Sequence, residues 1–305
     1  MFWQALLLQA GYNATLVTVG AALLGVAAGA VGSVMVLRKR ALVADAMAHA
    51  TLPGVAMAFM VMVWLGGDGR SLAGLMAGAA LSAGCGLLTV DWITRKSRLA
   101  EDAAIGAVLS VFFGAGIVGL TVIQTMQGGR QAGLEGFLLG ATAGMLWADA
   151  LVIAGGGAVA VALVWLLRRP LLLVAFDPGF AETVGISPRR ADLILMALVM
   201  AVTVIGLKVV GLILVVALLI IPAVAARFWT DRAGAMVWIA GAIGGAASYL
   251  GAVISTLAPA LPTGPIIVLL AAGVFLVSLL FAPARGAVPA ALRHRRVRAL
   301  RQAAP

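Results

Sequence analysis

Long apolar runs, separated by short polar or basic stretches, dominate this chain. A membrane-spanning helix needs about 20 apolar residues, and runs of about that length fall at 14–37, 41–65, 71–90, 103–124, 148–167, 191–207, 209–226, 235–256 and 265–283. Only Lys208 separates 191–207 from 209–226, so these form either two short spans or one bent pair. The runs are continuous rather than alternating, which excludes a β-barrel. The pattern predicts an all-α polytopic membrane protein with eight or nine transmembrane helices.

Basic residues are concentrated between the apolar runs. Eighteen of the 21 Lys and Arg residues fall in the clusters 38–40, 95–98, 168–169, 189–190, 227–232 and 285–301. Cytoplasmic loops are enriched in Lys and Arg, so we expect these clusters and the C-terminus on the cytoplasmic side. With nine spans, the N-terminus lies outside. Residues 1–11 are too short to cross, and they lack a basic start and a small-residue cleavage site, so no cleaved signal peptide is expected.

Composition narrows the class further. The chain is 63% hydrophobic and 10% charged, against about 45–50% and about 25% in soluble domains, which excludes a soluble enzyme or a disordered chain. The lone Cys85 excludes an intramolecular disulfide and a cysteine-based zinc or iron–sulfur site. The net charge of +10 reflects topology, and we expect no nucleic-acid partner. The basic tail could bind RNA, but anchoring at anionic lipid headgroups is favoured.

Two connections are longer than simple turns. The outer one, 125–147, is Gly-rich. The inner one, 170–190, contains Asp177 followed by Pro178, a helix-start signal, and Gly185, a helix-stop signal. This pattern predicts a helix of about six to eight residues with an exposed Phe180. Such a helix is either a linker lying on the membrane surface or a docking helix for a cytoplasmic partner, and the residues alone favour neither.

Asp45 and His49 form the most informative pair, because they share one helix face inside a predicted span. Counted from Arg40, they lie about 8 Å and about 14 Å into the span, and such polar groups usually mark a pathway or a site. A carboxylate and an imidazole can bind one metal ion, which suits zinc or manganese. A proton relay or a structurally fixed His are the alternatives. Pro53 and Gly54, one turn later, are candidate kink or gating positions.

Other polar residues carry weaker signals. Glu101, Asp102 and Asp149 stand at predicted helix starts, where acidic side chains complement the helix dipole. Met47, Met57, Met60 and Met62 are read as core residues rather than as a copper path, since no Cys or His accompanies them in a regular pattern.

Five motifs in order resemble the permease subunits of zinc- and manganese-type metal ABC importers, over nearly the whole chain. They are RKRALVADAMAHATLPGVA at 38–56, EDAAIG at 101–106, FDPGFAETVG at 176–185, KVVG through LLIIPA to AR at 208–227, and LPTGP at 261–265. Two parts depart from the family pattern. The basic tail is longer than expected, and 125–147 matches only at 137–140.

The resemblance implies a single transmembrane permease domain over 1–305, with a cytoplasmic coupling segment at 170–190 and a basic cytoplasmic tail at 285–305. It implies a multi-pass protein of the bacterial inner membrane that works as a homodimer. Two cytoplasmic ATPase subunits, an extracytoplasmic metal-binding protein and membrane lipid would be its partners. The transported ion would be Zn²⁺ or Mn²⁺, with Fe²⁺ compatible, and no cofactor would be bound permanently. The chain contains no G-x-x-x-x-G-K-[ST] phosphate loop, so ATP hydrolysis is expected from a partner rather than from this subunit.

The resemblance also implies roles for individual residues. Asp45 and His49 would contact the metal. The coupling residues would be Phe176, Asp177, Phe180, Ala181 and Gly185. Pro222 would join Pro53 and Gly54 as a kink or gating candidate.

Two other function classes remain as alternatives. An ion-coupled secondary transporter or channel would use Asp45 and His49 as a proton relay. No internal repeat is visible, which weighs against inverted-repeat transporters. An intramembrane metalloprotease would need a further ligand and a base, and the chain has two His residues and no H-E-x-x-H motif.

Overall fold

The computed structural model describes residues 2–9, 11–67, 69, 71–125, 147–257, 261–289 and 291. Within these residues the chain forms the helices α1 (Phe2–Leu6), α2 (Tyr12–Leu37), α3 (Ala41–Trp64), α4 (Leu72–Lys96), α5 (Glu101–Thr125), α6 (Trp147–Leu166), α7 (Arg168–Phe176), α8 (Pro178–Thr183), α9 (Pro188–Val210), α10 (Leu212–Trp229), α11 (Ala233–Ser255) and α12 (Thr263–Phe281). The predictions for most of 125–147 and for the tail beyond 291 lie outside the described residues.

Eight of the described helices are long and apolar enough to cross a membrane: α2 to α6, α9, α11 and α12. The all-α expectation is therefore confirmed. The apolar part of α10, Leu214–Trp229, is shorter. Gly211 separates α9 from α10 and adopts φ 78°, a left-handed conformation that glycine adopts without steric cost. The runs 191–207 and 209–226 therefore form two helices that meet at Gly211, and the second is too short to be counted among the eight spans.

Small residues allow α2 and α11 to approach closely along their length. A Cβ atom added at Gly25 would overlap the carbonyl oxygen of Gly244, and one added at Gly29 would overlap the carbonyl oxygen of Ala240. The residue order at these two contacts shows that the helices are antiparallel. Glycine and alanine at four-residue spacing on facing helices are typical of packing in membranes, where van der Waals contact replaces hydrophobic burial as the main attraction.

Helices α3, α4 and α5 form a second closely packed unit. Gly54 of α3 meets Gly78 of α4 backbone to backbone, and a Cβ at Gly116 of α5 would overlap Leu52. The unit joins the α2 side of the bundle mainly through α9 and α10. It therefore holds one face of α3 firmly between its neighbours.

Burial is uneven around the bundle. Helix α2 is the most buried span, whereas α5 and α12 are the least buried. Large apolar side chains of α5 remain exposed, including Val111, Ile117 and Val118. These surfaces face either lipid or another protein chain.

Candidate metal site and cytoplasmic docking segment

Asp45 and His49 face each other on α3, as their spacing predicts. Nε2 of His49 lies 3.4 Å from Oδ1 of Asp45, and their side chains are 22% and 43% exposed, respectively. Both residues lie in the first half of α3, which begins at Ala41 beside the basic cluster. The structure therefore brings the predicted pair together on a partly open helix face.

The separation of the two ligand atoms suits one bound ion. Metal–oxygen and metal–nitrogen bonds of about 2.0–2.2 Å place two ligand atoms about 3.3–3.5 Å apart at a tetrahedral centre. The observed 3.4 Å fits this spacing without a change of backbone. Among the residues that the structure describes, no third His, Cys, Asp or Glu completes a cluster with this pair. One chain thus supplies two protein ligands from these residue types.

Phe113 of α5 positions the imidazole from the other side. Its ring meets the His49 ring edge-on, with 4.9 Å between centroids. Nδ1 of His49 is buried and has no hydrogen-bond partner in the described part of the chain. Contact with the aromatic ring, rather than a hydrogen bond there, therefore orients the side chain. The sequence analysis did not identify Phe113, because nothing in its local sequence marks it.

The two residues after the site act through backbone chemistry and packing. Pro53 lies inside α3 and has no N–H, so the helical hydrogen bond to the carbonyl of His49 is missing. That loss makes a local bend easier beside the pair. Gly54 is required for a different reason, because a Cβ there would overlap the carbonyl oxygen of Gly78 and the Cβ of Ser82. Its role in the structure is close packing of α3 on α4, which the kink interpretation did not anticipate.

Pro222 also lies inside a helix, α10. The side chain is buried and its ring packs beside Gly244 of α11. This places the proline at a helix–helix contact. Its gating role stays a prediction.

The short helix predicted within 170–190 is present as α8. The carboxylate of Asp177 accepts a hydrogen bond from the N–H of Phe180 at 2.9 Å, which caps the helix. At the other end Gly185 adopts φ 80°. The N–H groups of Gly185 and Ile186 donate to the carbonyls of Glu182 and Ala181, which is a Schellman stop. Both predicted boundary signals are therefore confirmed.

Three neighbouring apolar side chains on and beside α8 are uncovered. Phe176 is the last residue of α7, Phe180 lies within α8 and Val184 is its C-cap, and each is more than half exposed. Ala181 is fully buried, so it anchors α8 to the bundle and is not available to touch a partner. We call Phe176, Phe180 and Val184 the α8 stripe. Exposed apolar residues that lie close together mark either protein-binding or membrane-binding surfaces, so both alternatives for this connection remain.

The acidic residues predicted at helix starts lie there. Glu101 and Asp102 occupy the first turn of α5, and Asp149 occupies the first turn of α6. Asp102 is exposed, whereas Asp149 is buried. Glu101 does more than complement the dipole, because it also forms an ion pair with Arg40 across 2.9 Å.

Comparison with known proteins decides the family. A model of the ABC 3 transport family matches residues 12–282. The chain belongs to this family. It is 42% identical over 286 residues to the manganese transport system membrane protein MntC of Bacillus subtilis, covering 94% of this chain and 65% of that protein. The chain thus spans just under two thirds of the length of that relative.

Two further comparisons agree for this ABC 3 family member. It is 39% identical over 291 residues to the zinc transport system membrane protein TroC of Treponema pallidum, covering 95% of this chain and 96% of that protein. PsaBC from Streptococcus pneumoniae, solved in complex with Fab, superposes with a TM-score of 0.80 at 29% identity, over 97% of this chain and 100% of that chain. The resemblance in the sequence is confirmed, and the chain is a multi-pass protein of the bacterial inner membrane.

In this ABC 3 protein a cluster of ion pairs joins the end of α2 to the beginnings of α3, α5 and α9. The sequence analysis did not predict it. Arg38 donates to Asp192 from Nε at 2.7 Å and from Nη2 at 2.9 Å, and Nη1 donates to the carbonyl of Val174 at 3.0 Å. Arg40 lies 3.2 Å from the same Asp192 and 2.9 Å from Glu101. We call Arg38, Arg40, Glu101 and Asp192 the inner ion cluster.

The pKa of Arg38 is raised above its ordinary value. The main cause is the hydrogen bond that Arg38 donates to Asp192, opposed by partial burial and assisted by the charges of Asp192 and Glu101. The sequence held one usable signal, namely a single acid, Asp192, two residues after the basic pair Arg189 and Arg190. Its partner on another helix could not be identified without the fold.

Proposed function

We propose that this chain is the membrane permease of an ATP-driven importer for Mn²⁺ or Zn²⁺. The observation that carries the proposal is the Asp45–His49 pair, held 3.4 Å apart inside a span. Its oxygen and nitrogen donors suit both ions. The relatives named above are manganese and zinc transport proteins, and their names support the same cargo class.

A second copy of the chain would complete the path. Charged side chains inside membranes face the bundle interior or a water-filled cavity, because hydrocarbon does not solvate them. In one copy the Asp45 side chain is 43% exposed, and the neighbouring α5 is among the least buried spans. Pairing of two copies over this face would cover Asp45 and offer two Asp and two His ligands along one pathway. Few ligands suit a transit site, since passage requires release as well as entry.

Energy would come from a partner. The chain carries no phosphate loop, whereas the α8 stripe offers an uncovered apolar surface on the basic, cytoplasmic side. We infer that each permease docks one cytoplasmic ATPase there, and that an extracytoplasmic protein delivers the ion to the opposite side. ATP-driven approach of the two ATPases would then move the helices between outward and inward access as rigid bodies.

Metal uptake by cells carrying single substitutions tests the site. We expect His49→Ala and Asp45→Ala to reduce uptake of Mn²⁺ and Zn²⁺ at least about tenfold, since each removes one of two protein ligands. Thr51→Val is the matched control, because Thr51 lies on the same helix, is fully buried and bonds the carbonyl of Ala48. Normal uptake by both site variants, at normal abundance in the membrane, would refute the metal site.

The second class, an ion-coupled transporter with Asp45 and His49 as a proton relay, makes a different prediction. Such a transporter would continue to take up metal after ATP depletion while the proton gradient is held constant. We expect uptake to stop under those conditions. Continued uptake would reject the ATP-driven proposal and favour the relay.

A further inference from the structure

We propose that the inner ion cluster transmits movement of the docking segment to the metal-binding helix. This inference rests on the proposed function and adds the residues that would couple ATP hydrolysis to ion movement. Arg38 contacts both flanks of α8, because Val174 lies just before it in α7 and Asp192 lies just after it in α9. A displacement of α8 together with its flanks would therefore act on the guanidinium group of Arg38.

The same contact leads directly to the metal pair. Arg38 ends α2 and Arg40 is the N-cap of α3, with Asp45 one turn beyond. Arg40 makes a second connection, because it forms ion pairs with Asp192 and with Glu101 at the start of α5. The other side of the His49 site is formed by α5, through Phe113. Both helices that surround the imidazole thus begin at the inner ion cluster.

The hydrogen bonding between Arg38 and Asp192 suits a contact that transmits movement. Arg38 holds both oxygens of Asp192 in a bidentate fork, which fixes direction as well as distance. The side chains of Arg38 and Asp192 are 17% and 16% exposed, so water screens the pair poorly. A cavity of about 120 Å³ beside Arg40 is also lined by Glu101 and Asp192. Arg40 therefore borders open space while it contacts both carboxylates.

The test uses the whole importer, purified with its ATPase subunits and reconstituted in vesicles, with ATP hydrolysis and Mn²⁺ uptake measured in the same sample. We expect Asp192→Asn to retain ATPase binding and hydrolysis, while ions moved per ATP fall about tenfold. Asp231→Asn is the matched control, because Asp231 pairs with Arg285 at 2.8 Å and touches neither α3 nor the α8 flanks. In Asp231→Asn the number of Mn²⁺ ions moved per ATP should equal that of the unmodified importer.

Two further variants keep the test decisive if Asp192→Asn assembles poorly. Arg38→Lys retains the charge but loses the fork, so it should also lower the ratio. The double swap Arg38→Asp with Asp192→Arg restores one ion pair, but it loses the bond to Val174 and places two positive charges together at positions 40 and 192. It should therefore recover only a small part of the ratio. An unchanged ratio in the assembled variants, or hydrolysis and uptake falling together, would overturn the link. Absence of ATP-dependent uptake by the unmodified importer would instead reject the proposed function itself.

Discussion

Lys39 follows Arg38, the C-cap of α2, and adopts a backbone conformation that is usual for glycine. Its φ is 59°, and the N–H groups of Lys39 and Arg40 donate to the carbonyls of Val36 and Met35. Helix α3 ends with the same hydrogen-bond pattern, but there glycine occupies the position, Gly66 with φ 87°. Lys39 therefore has a strained backbone conformation. It lies between Arg38 and Arg40, which form the ion pairs of the inner ion cluster.

This comparison gives a reciprocal prediction. A left-handed conformation costs a residue with a Cβ roughly 1 kcal/mol. Lys39→Gly should therefore raise the free energy of unfolding by about 1 kcal/mol, and Gly66→Lys should lower it by about the same amount. The thermal midpoint in detergent, measured for both variants, should shift in the same directions. A midpoint that falls in Lys39→Gly would show that the lysine side chain contributes more than its backbone strain costs.

At the scale of the helices, the close crossing of α2 and α11 depends on glycine. Gly25 and Gly29 of α2 lie against the backbone of α11, so the crossing has no space for a methyl group. Several other helical glycines, such as Gly84 in α4, have nothing within 4 Å of an added Cβ. The high glycine content therefore combines positions that packing requires with positions that it does not.

Substitution by alanine should separate these two kinds of glycine. Gly25→Ala should destabilise the protein by about 1–3 kcal/mol, because a methyl group would force α2 and α11 apart. Gly84→Ala, the control, should be neutral or slightly stabilising, since alanine favours helix. Thermal unfolding in detergent measures both. Equal stability of the two variants would contradict the close crossing.

At the scale of the whole molecule, two uncovered surfaces in the described part of the chain bear on assembly. The first is the face of α3 and α5 around Asp45 and His49, and the second is the α8 stripe. One lies within a span and the other on the connection between α6 and α9. An assembly with a second permease and an ATPase would cover both.

The proposed docking of an ATPase on the α8 stripe gives the prediction at this scale. Phe180→Asp places a charge in the centre of the α8 stripe and should abolish co-purification of the ATPase without altering the permease dimer. Leu99→Asp is the control, because Leu99 is also exposed and apolar but lies on the connection between α4 and α5. Retained ATPase binding by Phe180→Asp would show that docking occurs elsewhere. Loss of binding in both variants would indicate general damage by the added charge.

The sequence by itself determined the spans, both ends of α8 and the Asp45–His49 pair. These depend on local rules, namely hydrophobic run length, capping chemistry and the four-residue helical repeat, which hold before any tertiary contact forms. Tertiary structure alone decided that Gly54 is a packing residue, that Ala181 is buried, and that Phe113 orients His49. It also brought Arg38 to Asp192 and Val174, far apart in the chain. Such contacts depend on how helices pack against one another, and no local pattern encodes that choice.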